Sequence, residues 1–223
     1  MKTLKKLVAL VALSCLLTCV FSGCIEPKVY EPTDESLFNF VLLEDGTYSI
    51  ALKEGETLPE VVNLPKTYNE ANVTAIAENG FKGASLKEVR IPATIKVVGA
   101  SAFYGCASLE KVHFYKGVEE IQAGAFYGCS AIKQLDLPSS LKVIGDSAFF
   151  GLSITSLTLT DKVESVGNHA FAYCANLAKV YISHSVSSLA ENAFVGASAE
   201  LEYEISASNA YYKLDENGIP VKR

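Results

Sequence analysis

One pair of residues in the sequence has the types and spacing for proton transfer. His113 and Asp136 are 23 residues apart, which is one repeat period by the pattern described below, so they would lie on adjacent strands as a candidate acid–base pair. No serine or cysteine nucleophile is placed beside them, and an ordinary contact between surface side chains is the simpler interpretation. The other histidines, His169 and His184, fall in different parts of other repeats.

Sequence motifs of catalysis and cofactor binding are absent. The chain contains no G-x-S-x-G, no Walker loop, no H-E-x-x-H and no C-x-x-C spacing of the kind that holds zinc. We therefore predict a protein that is not an enzyme and that binds no metal and no cofactor.

Three cysteines occupy one position of the repeat. Cys106, Cys129 and Cys174 each follow a phenylalanine by three residues. In stacked coils the Cα atoms of Cys106 and Cys129 would be about 5 Å apart, which is within reach of a disulfide. Three buried thiols that act as small hydrophobic residues are the favoured interpretation, because parallel side chains seldom reach the required dihedral angle.

Residues 1–23 have the features of an export signal. Three lysines within the first six residues precede an apolar run from Leu7 to Phe21, which ends in Ser22 and Gly23. The run is shorter than the roughly 20 residues that a membrane-spanning helix needs. A signal peptide is predicted, and a membrane-spanning anchor is the alternative.

The four residues at the end of this signal, Phe21 to Cys24, resemble the lipobox of bacterial lipoproteins. The resemblance implies cleavage before Cys24 and attachment of lipid to its thiol, which would hold the protein on the cell membrane or outer membrane. Phenylalanine is less usual than leucine at the first lipobox position, so simple secretion is the alternative. Residues 24–37, rich in proline and acidic residues, are predicted to be a lipid-anchored linker.

The charge of the chain argues against two classes of partner. The formal net charge is −6, and it becomes −9 once the leader with its three lysines is removed. No basic stripe is present, so nucleic acid is not an expected partner. An acidic chain should also not bind anionic lipid headgroups by itself, which leaves the N-terminal lipid as the predicted link to the membrane.

The remainder of the chain repeats with a period of 22 or 23 residues. Phenylalanine marks the register, and it recurs at Phe81, Phe103, Phe126, Phe149, Phe171 and Phe194. An aliphatic residue lies five positions before each of these, at Ile76, Val98, Ile121, Ile144, Val166 and Leu189. After each phenylalanine but the last comes L-x-x-L-x-L, the strand signature of leucine-rich repeats, as in Leu86-Val89-Ile91 and Ile132-Leu135-Leu137.

These patterns resemble the BspA-like, or treponemal-type, leucine-rich repeat family. Two stretches carry the resemblance with little change, IPATIKVVGASAFYGC at residues 91–106 and LPSSLKVIGDSAF at residues 137–149. The family implies a solenoid of right-handed stacked coils of 22–23 residues, with a parallel β-sheet on one face and irregular or short helical segments opposite. Residues 61–205 would form the repeats, 38–60 an N-terminal capping hairpin with its turn at Asp45-Gly46, and 206–223 a C-terminal cap or tail.

The outward side of the strand sheet is the predicted binding surface. The candidate residues are Arg90, His113, Tyr115, Asp136, Thr158 and Tyr181. Seven strands spaced about 4.8 Å apart would offer only about 500 Å², less than the roughly 800 Å² per partner of a standard interface. A partner would therefore need the loops too, or would bind weakly.

The family resemblance implies a bacterial surface or secreted protein, and some members are linked to adhesion. The leading hypothesis is a monomeric cell-surface lipoprotein that binds proteins of a host or a neighbouring cell. A glycan-binding lipoprotein is the alternative if Tyr115 and Tyr181 form a stacking platform, as is a scaffold of the envelope without catalytic activity. A hydrolase is the least favoured hypothesis.

Overall fold

The structure, a computed structural model, describes residues 30–223. Residues 31–223 form one compact unit that contains the whole described core. The predicted signal peptide and the lipid-attachment residue Cys24 lie outside the described residues. Within residues 30–223, no helix has the length and apolar character needed to cross a bilayer.

The compact unit is a β-solenoid of about seven coils. One side of the coils carries the strands β3 (Val61–Asn63), β6 (Glu88–Ile91), β8 (Lys111–Phe114), β11 (Ser156–Leu159), β13 (Lys179–Ile182) and β15 (Glu202–Ile205). The opposite side carries β5 (Ala71–Ile76), β7 (Val97–Val98), β9 (Glu120–Ile121), β10 (Val143–Ile144), β12 (Ser165–Val166) and β14 (Ser188–Leu189). The remaining strands are β1 (Phe38–Leu42), β2 (Tyr48–Leu52), β4 (Thr67–Tyr68), β16 (Tyr212–Leu214) and β17 (Pro220–Lys222).

The predicted parallel sheet is present but interrupted. Strands β3-β6-β8 form one three-stranded parallel sheet, and β11-β13-β15 form another. Side chains alternate as the repeat predicts: Ser156 and Thr158 are exposed, while Leu157 and Leu159 are buried. The prediction of a seventh strand at Ile132–Leu137 is wrong, because this stretch pairs with neither neighbour.

The opposite side of the coils differs from the expected irregular or short helical segments. The two-residue strands there pair in parallel and continue β2 and β5 into one long sheet. The only helix among residues 30–223 is the 3-10 turn Glu35–Leu37. A strand of two residues is too short to show the alternation of apolar and polar residues that predicts a strand. The sequence therefore indicates only the buried aliphatic residue at this position.

The core consists of columns of identical positions from successive coils. The six phenylalanines stack face to face, with ring centroids 5.1–5.6 Å apart. The three cysteines are buried free thiols, in agreement with the favoured interpretation. Each thiol lies 3.1–3.4 Å from the backbone carbonyl oxygen of Phe81, Phe103 or Phe149 in the preceding coil.

The N-terminal end of the solenoid is covered by a hairpin. Strands β1 and β2 pair antiparallel, and Asp45 accepts hydrogen bonds from the backbone and hydroxyl of Thr47 in the turn. Phe38 of β1 packs edge-on against Phe81. Residues 31–37, which the sequence assigned to the linker, belong to this end of the unit: Thr33 exchanges hydrogen bonds with Asn63, on the edge of β3.

Residues 67–76 of the first coil and the C-terminal residues form two further hairpins. Strands β4 and β5 meet at a turn in which Asn69 and Glu70 both have positive φ, as a tight two-residue hairpin turn requires. At the C-terminus β16 pairs with β17. The Tyr212 hydroxyl accepts a hydrogen bond from the backbone N–H of Leu189 (2.8 Å), which covers the outer edge of β14.

Candidate binding surface

We define the strand face as the outward side of β3, β6, β8, β11, β13 and β15 together with residues 133–137. The register places Arg90 beside His113 in the first sheet and Thr158 beside Tyr181 in the second. Asp136 lies between the two sheets and is exposed, and Tyr115 follows β8 directly. The six predicted binding residues are therefore on one side of the molecule: two lie in each of the two sheets, and Tyr115 and Asp136 lie in neither.

Arg90 is part of a polar network that the sequence did not reveal. Its guanidinium forms a salt bridge with Glu88 and donates a hydrogen bond to Asn63 Oδ1 at 2.8 Å. His113 Nε2 lies 3.2 Å from Glu88 Oε1. Glu88, in the column beside Arg90, is half-buried rather than solvated, so Arg90 is held in place by its neighbours on the face.

The candidate acid–base pair is not formed. The hydrogen-bonding partner of Asp136 is Gln134, whose Nε2 donates to Asp136 Oδ2 at 3.2 Å, whereas His113 pairs with Glu88. The residues that the structure describes also contain no cluster of three potential metal ligands.

Tyr115 and Tyr181 do not form a joint stacking platform. Tyr115 is 43% exposed and adjoins the first sheet, while Tyr181 is half-buried in the second. Among the described aromatic contacts, none joins the two rings. Each tyrosine can therefore contact a partner only as a separate residue.

Between the two sheets the strand face is open along residues 133–137, which we call the open segment. None of its backbone N–H or C=O groups has a hydrogen-bonding partner in the described structure. At intact positions the coils are joined, for example by Ala178 N–H to Thr155 O and by Glu202 N–H to Ala178 O, both 2.9 Å. The segment is thus a gap in the parallel sheet.

A groove lies on each side of the open segment. The first, of about 610 Å³, is lined by residues that include Lys111, His113 and Asp136. The second, of about 450 Å³, is lined by residues that include Asp136 and Thr158. Three of the predicted binding residues therefore border these grooves.

A row of partly exposed aromatic residues, the aromatic row, lies on the turns after the core phenylalanines and is not among the binding residues predicted from the sequence. Its members are Tyr104, Tyr127, Phe150 and Tyr173, with ring centroids 4.4–5.0 Å apart. Tyr104, Tyr127 and Phe150 directly follow Phe103, Phe126 and Phe149, which is a signal that the sequence contained. Tyr104, Tyr127 and Phe150 stack face to face, whereas Tyr173 at the end of the row is tilted by 39° relative to Phe150 and is 59% exposed.

A cavity of about 620 Å³ lies at the C-terminal end, where Phe194 and Tyr203 approach the hairpin β16–β17. Burial raises the pKa of the Tyr203 hydroxyl to about 12. The cavity contains none of the predicted binding residues.

Stacked coils with L-x-x-L-x-L strands define a leucine-rich repeat solenoid. Residues 63–208 match six copies of the family described as BspA type Leucine rich repeat region. The protein belongs to this BspA-type leucine-rich repeat family. No curated protein sequence matches the chain.

Solved structures show the same architecture. The chain is similar to the T. pallidum Leucine Rich Repeat protein (TpLRR), with 25% identity and a TM-score of 0.65 over 78% of this chain and 86% of that one. It is also similar to a leucine-rich repeat protein from Bacteroides ovatus, with 27% identity and a TM-score of 0.61 over 81% and 53% of the two chains. A leucine rich cell surface protein from Faecalibacterium prausnitzii is 22% identical, with a TM-score of 0.60 over 86% and 61%, and shows the shared fold.

Proposed function

We propose that the protein is an exported, lipid-anchored binding module of the bacterial cell surface, and that its strand face binds a protein of a host or a neighbouring cell. The observation that carries the proposal is the strand face itself. It presents exposed polar, charged and aromatic side chains on two rigid three-stranded sheets, flanking two grooves. Four of the six predicted binding residues, His113, Tyr115, Asp136 and Thr158, are exposed and so are available for recognition.

Rigidity supports a role in binding. The side chains of the strand face stand on strands whose inward neighbours, such as Val89, Leu157 and Val180, are fully or almost fully buried. Residues fixed in this way lose little conformational entropy when a partner binds. Binding residues on a fixed scaffold also keep their relative positions without a ligand, so the partner meets a preformed surface.

Export and anchoring are supported by the leader and by the family. The lipobox-like Cys24 would place the repeats outside the cell and at a membrane. The F. prausnitzii relative, described as a cell surface protein, has the same fold. Attachment of lipid to Cys24 predicts that a Cys24→Ser protein is released from membranes into the soluble fraction, whereas the unaltered protein partitions with membranes.

Binding can be tested with arrays of glycans and of extracellular matrix proteins, using the chain from Glu31 onward, which holds the whole core. The face variant is Tyr115→Ala/Tyr181→Ala, and the matched control is Tyr104→Ala/Tyr173→Ala in the aromatic row. Loss of protein binding in the face variant alone supports the proposal. Loss in the control alone moves the site to the aromatic row, and no binding to any array component argues for an envelope scaffold.

Glycan binding is not favoured by the geometry. Sugars are bound most effectively against open aromatic faces, but Tyr115 and Tyr181 are separate and the rings of the aromatic row cover one another. Binding restricted to glycans, and sensitive to the face variant, would reverse this conclusion.

A further inference from the structure

We propose that the outer edge of β1 is a second binding site, to which an extended polypeptide strand with an apolar centre and basic residues at both ends adds. Strand β1 begins the long sheet that continues on the side of the coils opposite the strand face. The proposal therefore goes beyond the proposed function and does not depend on it.

Unpaired backbone groups along β1 are the first observation. Leu43 N–H, just after the strand, donates to Thr47 O, so by the alternation of an antiparallel ladder the odd-numbered residues pair with β2. The backbone groups of Phe40 and Leu42 therefore point away from β2, and none of them has a hydrogen-bonding partner among residues 30–223. A row of free N–H and C=O groups is the arrangement to which another strand adds.

The position beside β1 is open, and the strand itself is fixed. Its only strand neighbour is β2, and Val41 and Leu42 are 59% and 61% exposed, so an added strand displaces no coil. Phe38 is buried and packs edge-on against Phe81, which ties the beginning of the strand to the core. Phe40 stacks on the Tyr68 ring with centroids 3.9 Å apart. The edge is therefore preformed.

This edge lacks the protection that exposed sheet edges usually have. Lysine, proline, a bulge or a covering segment normally blocks such an edge. Strand β1 contains neither lysine nor proline, and its register with β2 has no bulge. At the other end of the same sheet, the Tyr212 hydroxyl accepts the Leu189 N–H and covers β14. A sheet that is closed at one end and open at the other favours a binding role for the open end.

Charge at the two ends of the edge selects the partner. The five residues of β1 are uncharged, but Glu35 precedes the strand, Glu44 and Asp45 follow it, and all three are exposed. Hydrogen bonds from the hydroxyl and backbone of Thr47 lower the pKa of the Asp45 carboxyl, so it is ionised at neutral pH. Lys53 adjoins the end near Glu35, but the next three residues include two glutamates. Both ends therefore attract cationic side chains.

The same charges argue against a second copy of this chain as the occupant. Antiparallel pairing of two β1 strands about Phe40 would bring Glu35 of one copy to Asp45 of the other at both ends. Like charges placed opposite one another destabilise strand pairing. A peptide with lysine or arginine at these places is attracted where a second copy is repelled, and its apolar centre covers Val41 and Leu42.

Two display libraries of nine-residue peptides are the probes for the purified protein. Both have five random central residues, which match the length of β1; one library has two lysines on each side and the other has two glutamates. We expect binders from the lysine library only. Exchange of the four lysines of a selected peptide for glutamine should lower affinity about tenfold at low salt, as a few exposed ion pairs would. The difference should shrink at high salt.

Variants of the edge test where the selected peptides bind. Leu42→Pro removes the outward N–H and leaves the pairing of β1 with β2 intact, and Leu42→Val is the matched control that keeps this N–H. Affinity should fall about tenfold for Leu42→Pro relative to Leu42→Val, since a backbone hydrogen bond and the fit of the strand are lost. In Glu35→Lys/Glu44→Lys, which alters exposed residues only, binders should come from the glutamate library instead.

Amide hydrogen exchange locates the bound peptide. Exchange of the Phe40 and Leu42 amides should slow when a selected peptide binds, while exchange in β11 and β13 should not change. Equal yields from both libraries, failure to select any peptide, equal affinity for the two Leu42 variants, or protection confined to the strand face would overturn the inference. Binding of array components that is lost in the face variant would survive such a failure, so the two proposals fail separately.

Discussion

Replacing a phenylalanine of the stacked column with alanine should cost more stability in the middle of the solenoid than at its end. Phe126 is fully buried, stacks on Phe103 and Phe149 at 5.1 and 5.3 Å, and also contacts Phe114 edge-on. Replacing a buried phenylalanine with alanine costs about 3–5 kcal/mol. Because Phe126→Ala also removes ring contacts on both faces and weakens the interfaces of one coil with two neighbours, we expect about 5 kcal/mol.

Phe194→Ala is the matched control for this prediction. Phe194 is 8% exposed, lies in the last coil of the column and stacks on one phenylalanine only, Phe171 at 5.6 Å. Its loss should cost about 3 kcal/mol, at the lower end of the same range. Urea unfolding followed by circular dichroism gives both free energies of unfolding. If both variants lost the same free energy of unfolding, or if Phe126→Ala lost less than about 2 kcal/mol, the stack would not couple neighbouring coils.

Three further predictions concern single positions. Burial raises the pKa of the Cys106 thiol from 9.0 to about 11, so the contribution of this thiol to the free energy of unfolding should be constant below pH 9 and fall between pH 9 and about 11; Cys106→Ala should reduce the alkaline loss of stability in urea titrations, and an unchanged pH profile would contradict it. Tyr173 has a φ of 56° at a position where other coils have glycine, so the double variant Ala172→Tyr/Tyr173→Gly, which restores the aromatic-glycine order of Tyr104-Gly105, should raise the free energy of unfolding by about 1 kcal/mol; a decrease would show that the present ring position outweighs the backbone strain. Tyr212→Phe removes the hydroxyl that accepts the Leu189 N–H, so it should cost about 1–2 kcal/mol and speed exchange of the Leu189 amide, and unchanged exchange would show that this edge is protected otherwise.

The sequence predicts the positions of the coils well, because each coil buries apolar side chains at the same positions of the repeat. The phenylalanine column, the cysteine position and most of the strands are where the period places them, since each reports a side chain that the stacked coils must bury. The open segment shows the limit of that signal. Leu135 and Leu137 keep the apolar spacing and are buried, yet the backbone beside them is unpaired, because an apolar pattern reports burial and not hydrogen bonding.

The candidate surface shows a similar division. The repeat period places Arg90, His113, Thr158 and Tyr181 on one face and in the correct register. It does not give the direction of long side chains, so the sequence could not show that Glu88 would be held between an arginine and a histidine. Contacts of this kind depend on rotamers that the repeat does not determine.

Binding at the strand face can be tested by hydrogen exchange of the protein with and without the array component that it binds. We expect slowed exchange in β6, β8, β11, β13 and residues 133–137, with no change in β7, β9, β10 and β12 on the opposite side. Protection confined to those two-residue strands, or to the turns that carry the aromatic row, would contradict it.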